Sequence, residues 1–118
     1  MTIDAHVVLA PGEKVHVIVR RLFDEDVRRH FVGEVLAVTG NRVRAEGYVF
    51  VYHDGRAEYE RKPEKRVRVL SLATPLTVNV IPSNVDIDRI TYRQGENGLV
   101  VTDGIDFSLC INEFGPRG

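Results

Sequence analysis

Short runs rich in Val, Ile, Tyr, Phe and Thr, each closed by Gly, Asn, Asp or Pro, fill this chain from residue 14 onward and leave little room for anything but strands and turns. The first strong run is 14–23, KVHVIVRRLF, ended by the acidic turn Asp24-Glu25-Asp26. Runs 27–39 and 42–53 follow, separated by Gly40-Asn41, and Asp54-Gly55 closes the second of them. Both dipeptides supply the positive φ that two-residue hairpins demand. The run 56–72 is broken at Pro63, which removes a ladder donor and so marks an edge, a bulge or a break. Residues 12–72 therefore predict a four- or five-strand antiparallel meander.

Thr74-Pro75 punctuates the chain, and 76–81 is another short strand, ended by Pro82. Ser83-Asn84 offers an N-cap for at most one helical turn over 85–89. Runs 90–93, 99–102 and 105–112 predict a second meander, turning at Gly95-Glu96-Asn97-Gly98 and at Asp103-Gly104. Ile105, Phe107, Leu109 and Ile111 alternate with Asp106, Ser108, Cys110 and Asn112, so the first set is expected to face a core. The tail 115–118 is expected to fray. No heptad, amphipathic helix or internal repeat interrupts this pattern. The chain's 118 residues fit one domain, 1–118, with sub-structures 12–72 and 73–118. The fold class is all-β, a small antiparallel barrel or sandwich, since closure removes exposed sheet edges.

The long first meander, with Gly33 and Gly47 placed where strands can curl, resembles the pattern of SH3-like and Sm-like small barrels. That resemblance implies a rolled sheet for residues 12–72. The second meander, 76–112, has no counterpart in a minimal barrel of that kind.

If both Gly turns hold two residues, three strands are in fixed register. Phe31 then faces Phe50, Gly33 faces Tyr48, and Phe50 faces Tyr59. Phe31, Phe50 and Tyr59 form an aromatic row, with Arg29, Tyr48, Tyr52, Arg42, Arg44 and Arg61 on the same side. One reading makes this row a stacking platform for single-stranded nucleic acid, using Tyr48, Tyr52 and Tyr59 with Arg42, Arg44, Arg61, Lys65 and Arg66. The other makes it core, which is the commoner use of aromatics. Glu58 and Glu60 on the reverse side support the core reading at that end, while Leu36, Val38, Val43 and Ala45 make the reverse side apolar near Gly40. Two apolar faces on one strand pair require a bulge, a switch of sides or a second covering layer. The C-terminal meander can supply that layer, and so can a second copy meeting Phe31, Phe50 and Tyr59 in a homo-oligomer.

Charge bears on the choice. The net charge is −1, but residues 12–72 carry 13 Lys and Arg against 10 Asp and Glu, while 73–118 carry 3 against 6. The basic run Arg61, Lys62, Lys65, Arg66 and Arg68 is interleaved with Glu58, Glu60 and Glu64, which dilutes its field and suits a solvated, charged edge. His6, His16, His30 and His53 match no metal-ligand spacing, and one cysteine completes no zinc site, so no metal or cofactor is expected. His16 and His30 can nevertheless meet across the first hairpin. Asp86 and Asp88 suit the positive end of a short helical turn better than a calcium loop. Ser71, Ser83, Ser108 and Cys110 lack the neighbours of a nucleophile.

The single Cys110 favours a reducing compartment, and the opening MTIDAHVVLAPGEK lacks the basic and apolar regions of a signal peptide. No stretch nears the about 20 apolar residues of a membrane span. The expectation is a cytoplasmic, non-catalytic interaction or self-association module without a membrane partner. Its alternatives are a single-stranded nucleic-acid binder and a small-ligand barrel or enzyme centred on His16, His30 and His53.

Overall fold

The computed structural model describes residues 8–23 and 25–111, so His6, Asp24, Asn112 and the tail 115–118 lie outside it. The chain is all-β and antiparallel, with one 3-10 turn. The strands are β1 (Lys14–Val19), β2 (Arg29–Thr39), β3 (Arg42–His53), β4 (Glu58–Arg61), β5 (Arg66–Ser71), β6 (Leu76–Ile81), β7 (Thr91–Gly95), β8 (Gly98–Thr102) and β9 (Ser108–Cys110). Six of them make one sheet in the order β4-β3-β2-β1-β6, with β5 also on β3. β7, β8 and β9 make a second sheet. The run 56–72 does break at Pro63, and β4 and β5 flank the two halves of the same long β3.

β6 falls on the other side of the boundary expected at residue 73. It pairs along its whole length with β1, Lys14 facing Ile81 and Val19 facing Leu76. Its alternation matches β1, and a chain reversal at Thr74-Pro75 delivers it to that free edge. Among the described residues no ladder joins β5 to β6, which lie on opposite edges of the sheet.

The aromatic row does not form, and the reason is a single residue. Thr39 faces Arg42 and Val38 faces Val43 as a two-residue Gly40-Asn41 turn requires, but a bulge at Leu36 advances β2 by one place. Beyond it Phe31 faces Val49, Gly33 faces Gly47, and His30 faces Phe50. Phe31 and Phe50 thus point to opposite sides of the sheet. The next hairpin also differs, for His53 faces Glu58 across a four-residue connection in which Ala57 takes a positive φ of 53°. That offset is even, so Tyr48, Phe50, Tyr52, Tyr59 and Arg61 keep their common side.

Both sides of the sheet are therefore apolar, and each has its own core. Val15, Val17, Phe31, Val35, Val43, Ala45 and Val49 pack with Leu9 on the first face. Leu70 of β5 and both Leu76 and Val78 of β6 join this cluster. β3 lies close on β2 at Gly47, where an added Cβ would collide with the Val32 carbonyl and the Gly33 backbone. On the second face Val32, Phe50 and Ile81 meet Val85, Ile87, Ile90 and Val101 of the C-terminal segment. The second covering layer is supplied within the chain. Burying each such side chain contributes about 1.5–3 kcal/mol.

The link between the layers is held by polar contacts. Lys14 Nζ donates to the carbonyls of Ser83, at 2.9 Å, and Val85. The 3-10 turn Ile87–Arg89 is capped by Asp86, whose carboxylate accepts from Asp88 N at 3.0 Å, rather than by Ser83 or Asn84. Ile105 is 65% exposed, against its expected place in a core, because Asp103 turns the chain outward by accepting from Ile105 N and Phe107 N. Phe107 and Ile111 do pack inward. No helix among the described residues is long and apolar enough to cross a membrane.

Candidate functional site

Alternation along β1 and β2 sends His16 and His30 to the second face, on diagonal positions of one antiparallel pair. The second sheet then lowers Tyr92 of β7 onto both. Tyr92 Oη lies 2.6 Å from His30 Nδ1 and 2.9 Å from His16 Nε2, and those two nitrogens are 3.3 Å apart. Asn79 of β6 brings Nδ2 to 3.2 Å from His16 Nδ1. The two imidazoles, predicted to meet across the first hairpin, do meet. His53 does not join them, being exposed at the tip of the β3–β4 hairpin.

Burial dominates the electrostatics of this cluster. His16 is fully buried and its pKa falls to about 4 through desolvation. His30 falls to about 3, first through desolvation and then through repulsion from His16 and Arg28. Both rings are neutral at ordinary pH. Burial pushes the Tyr92 and Tyr59 phenols up, so both stay protonated. Tyr59 stacks on His30 with centroids 4.5 Å apart and on Tyr92 at 4.7 Å, and Tyr52 meets Tyr59 edge-on at 5.2 Å.

This aromatic wall opens onto a groove of about 750 Å³ between the two sheets. His30, Tyr52 and Tyr59 line it from the first sheet, with Gln94, Gly98, Leu99 and Ile111 opposite. Arg20, Arg21 and Arg28, from the two sides of the β1–β2 connection, complete the lining, with Glu58 as the opposing charge. The Arg28 guanidinium stands 5.7 Å from the centre of the Tyr52 ring. In the same connection the Asp26 carboxylate is turned back on the chain, accepting from Leu22 N and Phe23 N. Ring faces beside several guanidiniums suit a planar ligand that carries negative charge. A smaller cavity of about 370 Å³ lies by Phe50, Tyr59 and Tyr92, where Arg61 and Arg89 mix with Asp88 and Asp103. Among the described residues no group of three or more His, Cys, Asp or Glu gathers.

Of the residues predicted for nucleic-acid contact, only Tyr52 and Tyr59 reach the groove. Tyr48 instead sits under Arg61, 4.5 Å from its centre, and its hydrogen bond to Asp88 raises its pKa. Arg61 Nη1 donates to the Asp88 carbonyl at 2.7 Å and Lys65 pairs with the Asp88 carboxylate at 3.6 Å. These three side chains fasten the 3-10 turn to the sheet. Arg66 pairs with Glu64, and Arg42 and Arg44 are exposed near the opposite end of β3. Phe31 and Phe50, predicted for self-association with Tyr59, are 3% and 2% exposed in the single chain and so present no surface. The residues missed are Arg20, Arg21, Arg28 and Tyr92. The Arg-Arg pairs at 20–21 and 28–29 were a visible signal flanking one turn, whereas Tyr92 needs the docking of two sheets to acquire meaning. Compared with known protein families, curated proteins and solved structures, the chain matches none.

Proposed function

We propose that the chain is a non-catalytic binding module whose groove takes single-stranded nucleic acid. The observation that carries this reading is the convergence of Arg20, Arg21 and Arg28 on the rings of Tyr52 and Tyr59. Aromatic faces stack bases of any sequence, and guanidiniums hold the phosphates between them. The six-stranded sheet is read as a partly rolled barrel of SH3-like kind, since β5 and β6, on its opposite edges, both feed one cluster. One cysteine fits a reducing, cytoplasmic setting.

Titration of a fluorescein-labelled oligothymidylate at low and moderate salt tests the reading. Affinity should fall steeply with salt. Arg28→Ala should flatten the logarithmic salt dependence by about 0.7 per lost phosphate contact. Tyr52→Ala should cost about 1–3 kcal/mol and leave the salt dependence unchanged. Absence of binding at low salt ends the proposal.

Self-association is a second reading, favoured by β5. Val67 and Val69 of this edge strand are 51% and 59% exposed, on the side that also bears Arg44 and Glu46. Light scattering after size exclusion measures it, with Val69→Lys expected to abolish any dimer.

A further inference from the structure

We propose that His30 reads an oxygen acceptor of the ligand in this groove through a fixed Nε2–H donor, set by a one-way hydrogen-bond chain that begins at Asn79. The inference rests on the groove reading above and adds the atom that does the recognising.

The direction follows from counting protons. The Asn79 amide nitrogen can only donate, so His16 Nδ1, 3.2 Å away, accepts and is bare. A neutral ring with a bare Nδ1 carries its proton on Nε2. That N–H donates to Tyr92 Oη at 2.9 Å. The phenol oxygen, having accepted, donates its own proton to His30 Nδ1 at 2.6 Å. His30 is then also bare at Nδ1, and its proton must lie on Nε2, on the side of the ring away from Tyr92. His30 lines the groove, and Nε2 is the nitrogen it has left to offer there. No buried side-chain nitrogen or oxygen lacks a partner among the described residues. Were both rings to donate to the phenol oxygen instead, two N–H groups would face each other across the 3.3 Å between His16 Nε2 and His30 Nδ1, and the phenol proton would lose its acceptor. Tyr59, stacked on the His30 ring, fixes the plane in which the donor points. The recognised group is an oxygen acceptor, either a phosphate oxygen or a base carbonyl.

Long-range proton–nitrogen spectra of the full chain, labelled with nitrogen-15, report each imidazole tautomer at neutral pH. His16 and His30 should both be in the Nε2–H form. His30 in the Nδ1–H form overturns the proposal without any ligand being added. Asn79→Asp replaces the donor with an acceptor, so it should move the His16 proton to Nδ1 and weaken oligothymidylate binding about fivefold. An Asn79→Asp chain that folds with its tautomers unchanged also overturns it. Adding the oligothymidylate should shift His30 Nε2. If inorganic phosphate alone reproduces that shift the acceptor is phosphate, and if thymidine alone does so it is the base. An oligothymidylate that moves the Tyr52 and Arg28 signals and leaves His30 in place overturns the recognition and keeps the groove. One that moves none of them removes the groove reading as well.

Discussion

In the unfolded chain His16 and His30 take up protons near pH 6.5, and in the folded chain only near 4 and 3. Between those values the unfolded state binds more protons. Stability is complete above about pH 6.5 and falls as the pH drops below it, by about 1.4 kcal/mol per pH unit for each ring. The groups facing the rings do not counter this. Tyr92, Tyr59 and Asn79 are neutral, and Arg28 opposes a charge on His30. Urea midpoints measured from pH 7.5 to 4.5 should therefore decline steeply, and His30→Gln should make the decline shallower. A flat profile would mean that the rings are not buried as neutral species. The meeting of these two histidines was legible in the sequence, because simple alternation sends both to one side of a hairpin. Their low basicity was not, because it comes from burial, completed by a second sheet whose Tyr92 lies 62 residues beyond His30.

At the scale of the element, two positions in β3 and its hairpin carry opposite expectations. Gly47→Ala places a methyl against the backbone of β2, which cannot retreat without breaking its pairing with β1. The variant should lose several kcal/mol or fail to fold, judged by urea denaturation. Ala57→Gly relieves a left-handed residue at the end of an exposed turn and should gain about 0.5–1 kcal/mol in the same assay. The strands were legible because each run of β-formers ended at a turn residue with a reason to be there. The bulge was not, since nothing in the local residues Val35-Leu36-Ala37 distinguishes a paired Leu from an extra one. Its cause is non-local: Val35 and Val38, three residues apart, both enter the first core, which unbroken alternation forbids. Reading the sheet as evenly paired therefore misassigned Phe31 and, with it, the aromatic row.

For the whole molecule, the two cores share one sheet and should unfold together. The chain has no Trp, and its four Tyr all report on the second face or its groove. Phe31→Ala, a cavity in the first core, should cost about 3–5 kcal/mol. It should shift the tyrosine fluorescence transition by as much as the circular dichroism transition, although no tyrosine belongs to the Phe31 cluster. Two separate midpoints would divide the molecule into independent halves. The need for a second covering layer could be read from two apolar faces on one strand pair, and the C-terminal segment was a named candidate for it. The groove between the layers could not, because it is made by the way they meet.

The one surplus residue at Leu36 also decides which errors of copying this fold survives. Gain or loss of a single codon between Arg29 and Val35 would exchange the occupants of both interiors at once, a heavier injury than any one replacement there. The same gain or loss at 54–57 would only lengthen or trim a tip in water. Tolerance along this ribbon is a matter of keeping count, and the count matters most where two neighbours must look in opposite directions.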